Sequence, residues 1–222
     1  MVTACVFDAY GTLFDVHSAV RRHVDRLGAV GAAVSQLWRT KQLEYTWLRT
    51  LMGRYVDFAT VTADALDVAL ATHAVRDPAL QADLLRAYLE LDPYPDVIEV
   101  LHALRQRGVA CSILSNGTEA MLAAAVAAAG VEGLIDSVIS VDPLGMYKPD
   151  PRVYRHAIEV LSRADDDILF VSANSWDAIG AAHAGLQVAW INRTGLEPDH
   201  LGRSADHQLS DLRGLLALLD GL

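Results

Sequence analysis

The stretch VTACVFDAYGTLFD at residues 2–15 begins with a short apolar run, β-branched at its start, and breaks at Asp8 into the turn Tyr10-Gly11-Thr12. That pattern is a buried strand, Val2–Phe7, ending on a carboxylate. From about Asp15 to Asp92 the chain reads as helical throughout. The segments are Val16–Leu27, Val34–Met52, Thr60–Thr72 and Pro78–Glu90, with apolar residues three and four apart and stops at Gly28 and Gly53. Beyond Pro93 and Pro95 the pattern alternates. Helix Asp96–Arg107 leads to strand Val109–Leu114, helix Glu119–Ala129, strand Ser137–Val141 and helix Pro151–Leu161. Strand Ile168–Val171, helix Trp176–Ala184, strand Val188–Ile191 and a closing helix Leu212–Leu219 complete it. Strands alternating with helices demand a parallel sheet covered on both faces. The expected architecture is an open α/β core, residues 1–14 and 93–222, with a helical-bundle cap, 15–92, inserted just after the first strand.

At 222 residues and 52% apolar content, the chain can bury a full core without disulfides. Its net charge of −10 argues against nucleic acid or an anionic membrane as the main partner. An anionic substrate would have to be met by local positive groups. Of the 18 basic residues 16 are Arg, which makes the two lysines, Lys41 and Lys148, conspicuous. Cys5 and Cys111 lie in strand-like runs without C-x-x-C spacing and are expected to be buried free thiols in a reducing compartment. The chain opens directly on a strand, and no apolar run reaches the ~18 residues of a membrane helix. A soluble, cytoplasmic protein is expected.

In open α/β sheets ligands bind beyond the carboxyl ends of the strands. The polar residues there are Asp8 after the first strand, Ser115 and Asn116 after the second, Lys148 in the loop after the third, and Ser172, Asn174 and Asp177 after the fourth. Asp8 is either an Asx-turn residue or a carboxylate nucleophile that forms a covalent ester. Thr12, four residues on, is placed to donate to it. The eight His show no H-x-H or H-E-x-x-H spacing, and G-x-S-x-G and G-x-G-x-x-G are absent.

The segments FDAYGTLFD at 7–15, SNG at 115–117, Lys148-Pro149 and SANSWD at 172–177 resemble, in order and strand context, the four motifs of the haloacid dehalogenase superfamily. That resemblance implies a Rossmann-like sheet with an inserted cap. The superfamily is mostly phosphatases, but two features depart from the phosphatase pattern. The usual second Asp, two residues after the nucleophile, is Tyr10, and a phenol with a pKa near 10 is a poor proton donor to a leaving alcohol. The positions after strand four that usually hold Mg²⁺ begin with Ser172 and Asn174, leaving Asp177 as the acidic group. A departing halide needs neither proton nor metal. The cap segment LWRTKQLEYTWLR at 37–49 is similar to that of the (S)-2-haloacid dehalogenase branch, and the similarity runs from Val2 to about Leu219. That branch more often carries Gln where Thr40 stands, a change expected to alter the pocket wall.

Carried over position by position, the resemblance implies that Asp8 displaces halide from C2 with inversion, so that an (S)-2-haloacid gives an (R)-2-hydroxyacid, with no metal and no cofactor. Thr12 and Ser172 would hold and polarise the Asp8 carboxylate, and Lys148 would stabilise developing negative charge. Ser115 and the backbone N–H groups near Ala9 and Tyr10 would bind the substrate carboxylate. Arg39, with Asn116 beside it, would receive the halide. Tyr10, Leu43, Phe58 and Trp176 are candidates for an apolar wall. Asp177 and Asn174 are the candidates to activate or orient the hydrolytic water. Tyr154 would stand close to Lys148, and Asp15 would cap the first cap helix or act at the hinge. The expected partners are a small 2-haloacid and a halide ion, with a second copy in a homodimer. The competing readings are a metal-dependent phosphatase with an eroded motif and a non-catalytic small-anion binding protein.

Overall fold

Every residue of the first strand, β1 (Ala4–Phe7), is buried, as a strand covered on both faces must be. In the computed structural model, which describes residues 2–221, the remaining strands are β2 (Ala110–Ser115), β3 (Ser137–Ser140), β4 (Ile168–Ser172), β5 (Gln187–Ile191) and β6 (His207–Leu209). They form one sheet in the order β3-β2-β1-β4-β5-β6, with every neighbouring pair parallel. β1 is therefore central, and the order reverses beside it. That switch point is where an open α/β sheet opens a crevice for ligands.

The helices are α1 (Ser18–Arg21), α2 (Val24–Leu27), α3 (Gly31–Met52), α4 (Phe58–Thr72) and α5 (Pro78–Tyr88), all between β1 and β2. They continue with α6 (Val97–Gln106), α7 (Glu119–Ala128), α8 (Pro151–Leu161), α9 (Ser175–His183) and α10 (Gly214–Leu219). α3 and α4 pack along each other, and Trp38 Nε1 donates to Thr62 O at 2.8 Å across that seam. Asp57 caps α4 by accepting from Thr60 N at 2.8 Å, and Gly53, left-handed at φ 62°, ends α3. The chain leaves and re-enters the sheet layer through two adjacent crossings. Asp15 N donates to Asp92 O at 2.8 Å, and Tyr94 N to Leu13 O at 3.0 Å.

Three expectations are revised. The single helix Val16–Leu27 is two short helices broken at Arg22-His23, and flanking ion pairs, Arg21–Asp15 at 2.6 Å and Arg26–Asp83 at 2.6 Å, hold the halves separately. Five helices therefore stand where the periodicity predicts four. The edge strand β6 escapes the sequence pattern, because His207-Gln208-Leu209 is short, half polar and bonded on one side alone. Thr40 is exposed, its hydroxyl donating to Gln36 O one turn back at 2.9 Å, so it forms no pocket wall. The cysteines are as expected. Cys5 and Cys111 face each other in register across β1 and β2, both free and buried, and burial pushes their thiols up, Cys111 to about 12.

Candidate active site

Asp8 follows the last residue of β1, its N–H still tied to Val171 O at 2.9 Å, so the central strand aims its carboxylate out of the sheet edge. Each carboxylate oxygen has its own donors. Oδ2 accepts from Thr12 Oγ1 at 3.0 Å and from Asn174 Nδ2 at 2.8 Å, and Oδ1 accepts from Lys148 Nζ at 3.0 Å. Thr12 is fixed in turn. Its Oγ1 accepts from Ala173 N at 2.8 Å, and its carbonyl accepts from Arg193 Nη2 at 3.1 Å. Arg193 is itself held by Asp96, which makes no side-chain cap on α6 and instead pairs with Arg193 Nη1 at 2.8 Å.

Lys148 lies between two carboxylates, 3.0 Å from Asp8 and 3.0 Å from Asp177. Burial alone would lower its pKa, but Asp177 and Asp8 overcome that and hold it above the ordinary lysine value. Asp177, fully buried at the first turn of α9, is raised by burial against the pull of Lys148, with Asp8 adding to the rise. Tyr154 on α8 donates its hydroxyl to Asp177 Oδ1 at 2.7 Å, and Asn116 Oδ1 accepts from Lys148 N at 2.9 Å. α9 approaches Tyr154 so closely that a Cβ at Gly180 would lie 2.6 Å from the Tyr154 hydroxyl and 2.7 Å from Pro149.

The backbone N–H groups of Ala9, Tyr10 and Asn116 have no acceptor among the described residues, although all three residues are buried. Backbone donors without an acceptor on residues beside the Asp8 carboxylate suit an anionic ligand. Ser115 Oγ accepts from Gly117 N at 3.1 Å and keeps its proton free for the same place. Over this edge α3 reaches down with Arg39. Its Nη2 donates to Tyr10 O at 3.0 Å and to Asn174 Oδ1 at 3.3 Å, and its Nη1 to Gln42 Oε1 at 2.8 Å. Leu43 is half-buried one turn further along the same face of α3. Phe58 is buried with its ring 5.4 Å from that of Tyr10, and Tyr10 stacks on Tyr88 at 5.5 Å. Trp176 meets Trp47 edge-on at 5.3 Å and lines a cleft of about 570 Å³ between α3 and the loop carrying Lys148.

Two expected contacts are not made. Ser172 does not bond Asp8. The turn directs its hydroxyl to the backbone of Asn174, accepting from its N–H at 3.1 Å, and the Asn174 side chain takes the place on Asp8. Asn116 is not a partner of Arg39; its side-chain oxygen is committed to the Lys148 backbone. Asp15 stays outside the site, engaged with His17 N and Arg21 at the crossing. Lys41 pairs with Glu44 at 2.7 Å as a surface charge. Gln42, Tyr88 and Arg193 are neighbours of the site residues that the sequence does not single out. For Gln42 the available signal is its place three residues after Arg39 on an otherwise buried helix face.

A parallel sheet with a carboxylate on its central strand, a lysine bridging to a second carboxylate and a helical block above is the arrangement of the haloacid dehalogenase-like hydrolases. The model of that family matches residues 2–185, and the chain belongs to it. Its relatives are specific. The chain is 46% identical to the (S)-2-haloacid dehalogenase 4A of Burkholderia cepacia, over 97% of this chain and 94% of that protein. It is 42% identical to the haloacetate dehalogenase H-2 of Moraxella sp., over 98% of each. Among solved structures, the L-2-haloacid dehalogenase of Xanthobacter autotrophicus with chloropropionic acid covalently bound superimposes with a TM-score of 0.94 at 37% identity, covering both chains fully.

Proposed function

We propose that this chain hydrolyses (S)-2-haloalkanoic acids to (R)-2-hydroxyalkanoic acids through an ester on Asp8, without a metal. The observation that carries the proposal is the division of labour at Asp8. Oδ2 has two donors filling its lone pairs, whereas Oδ1 has one donor and a lone pair to spare. Oδ1 attacks C2 from behind, the C–halogen bond breaks, and the halide leaves with its electron pair. Oδ2 becomes the ester carbonyl oxygen, already cradled by Thr12 and Asn174 as an oxyanion hole. Water then attacks the Asp8 carbonyl carbon. Asp177, the buried carboxylate with a raised pKa, takes one proton from it, and the ester C–O bond to the aspartate carbon breaks. The leaving alkoxide takes that proton back from Asp177, and the second proton of the water is lost to solvent as the Asp8 carboxylate re-forms. The C2–O bond survives, so the inversion made in the first step is retained.

The substrate carboxylate is bound by the N–H groups of Ala9, Tyr10 and Asn116 and by Ser115. Arg39 receives the halide, supported by the relatives' activities and by its reach over Tyr10. Metal-free turnover is supported by the neutral Ser172 and Asn174, at the end of β4 and just beyond it, with the Asn174 amide donating to Asp8 Oδ2 at 2.8 Å. Residues 15–92 act as a cap, hinged at the paired crossings near Asp15 and Asp92. A homodimer is supported by the exposed apolar row Leu48, Leu51 and Met52 at the end of α3. A reducing, cytoplasmic setting is supported by the two free thiols. Among the described residues no helix is long and apolar enough to cross a membrane.

The test gives purified protein racemic 2-chloropropionate in excess chelator and follows chloride. Release that stops at half conversion, with (R)-lactate as product, is expected. Absence of halide release together with Mg²⁺-dependent phosphate release from a phosphomonoester would overturn the proposal, and inertness in both assays would favour an anion-binding protein.

A further inference from the structure

Within α3, two arginines are treated in opposite ways. Arg49 pairs with Asp64 at 2.7 Å, whereas the three acceptors around Arg39 are all neutral: the Gln42 side chain, the Tyr10 carbonyl and the Asn174 side chain. Gln42 is the one of these that belongs to the helical block itself. It is 1% exposed, and its amide is held from three sides. Its Oε1 accepts from Arg39 Nη1 at 2.8 Å and from the Tyr88 hydroxyl at 3.0 Å, and its Nε2 donates to Thr62 Oγ1 at 2.8 Å. The orientation of that amide is forced. A guanidinium only donates, and the Thr62 proton is committed to Phe58 O at 2.6 Å, so Thr62 must accept.

We infer that Gln42, clamped by Tyr88 and Thr62, is a positioning residue that aims Arg39 at the departing halide while leaving its charge uncompensated. A carboxylate at this place would hold the guanidinium equally well in geometry but would spend its charge inside the protein. A neutral amide fixes direction and leaves the full positive charge for an anion that exists as such only once the C–halogen bond breaks. Tyr88 supplies the second donor that keeps Oε1 from swinging away. A buried polar network of this kind is stiff when its members are satisfied. The inference rests on the halide role of Arg39 proposed above.

The experiment compares the parent protein with Gln42→Glu, Gln42→Leu and Tyr88→Phe on (S)-2-chloropropionate and (S)-2-bromopropionate. It measures kcat and KM separately, together with inhibition by added chloride. For Gln42→Glu, kcat on the chloro substrate is expected to fall about 100-fold and on the bromo substrate about tenfold, because bromide leaves with less help. KM stays near its parent value, since the substrate carboxylate is held elsewhere, and the chloride inhibition constant rises about tenfold. Gln42→Leu shifts the same quantities in the same direction. Tyr88→Phe, which removes one hydroxyl without opening a cavity, shifts them about two- to fivefold and decides the matter if the Gln42 variants do not fold. Loss of kcat by one common factor on both substrates, with chloride inhibition unchanged, would mark a merely structural role and overturn the inference. Unchanged kinetics in all variants would do the same. Failure of the parent itself to release halide would instead overturn the proposed function on which the inference stands.

Discussion

Lys148 and Arg39 face the same small space from opposite sides, one from the sheet edge and one from the helical block above it. The sheet edge compensates its cation fully. Lys148 is 1% exposed, bonded to Asp8 and Asp177, and its carboxylate partners are themselves bonded to Thr12, Asn174 and Tyr154. The helical block leaves its cation with neutral acceptors. In the proposed mechanism the difference separates two tasks. A covalent step at Asp8 needs groups held rigidly before substrate arrives, and rigidity comes from mutual satisfaction of buried charges. Halide departure needs charge that is still free when the bond breaks. Substitutions in the sheet edge should therefore cost stability along with activity, whereas substitution of Arg39 itself should cost activity with the fold intact.

The largest expected effect is at Lys148. Lys148→Met leaves two buried carboxylates facing each other and should destabilise the protein by about 3–5 kcal/mol in urea unfolding. Lys148→Arg, whose planar fork does not fit between Asp8 and Asp177, should lower turnover at least about 100-fold in a halide-release assay. Near-normal activity would remove Lys148 from the mechanism. Next in size is Arg39→Lys, expected to lower kcat about 10- to 100-fold while stability changes by less than about 1 kcal/mol. A loss of stability as large as that of Lys148→Met would break the contrast between the two regions.

The alternation of strands and helices and the Asp8–Lys148–Asp177 cluster are legible in the sequence because each leaves a local mark. An apolar run that stops on Asp8, one of two lysines in a chain that writes Arg 16 times, and Asp177 at the start of a helix are all visible residue by residue. The part played by Ser172 is not, because hydroxyl direction is set by the turn at 172–174 and not by residue type. Gln42 carries one local mark, its place three residues after Arg39, but its clamp is not legible, since its partners Tyr88 and Thr62 are 46 and 20 positions away. Arg193 likewise reaches Thr12 across 181 positions. Contacts of that range depend on how the helical block lies over the sheet, which local periodicity does not encode.

A smaller effect sharpens the rigidity of the sheet edge. An alanine at an unhindered helical glycine gains about 1 kcal/mol. At Gly180 the new methyl meets the Tyr154 hydroxyl and Pro149, so Gly180→Ala should instead cost about 1–3 kcal/mol and lower turnover by displacing Tyr154 from Asp177. A gain in stability would show that α9 is free to move away.

The smallest effect lies at the crossing into the helical block. Burial lowers the pKa of His17, against Asp15, and its ring lies 2.7 Å from Ser35 Oγ. A histidine whose folded pKa is below its unfolded value of about 6.5 contributes stability that is present above that pH and lost as pH falls through the folded value. Unfolding measured from pH 7 to 5 should therefore show a shallow loss of stability that His17→Gln flattens. An unchanged slope would remove His17 as its source.

The ester on Asp8 is tested most directly by one turnover in ¹⁸O-labelled water with enzyme in excess over (S)-2-chloropropionate. Water attacks the Asp8 carbonyl carbon in this account, so the label should enter the Asp8 carboxylate, seen by mass spectrometry of the peptide that contains it, and the first lactate formed should be unlabelled. Label in the lactate of that first turnover, with Asp8 unlabelled, would mean that water attacks C2 itself and would contradict the account.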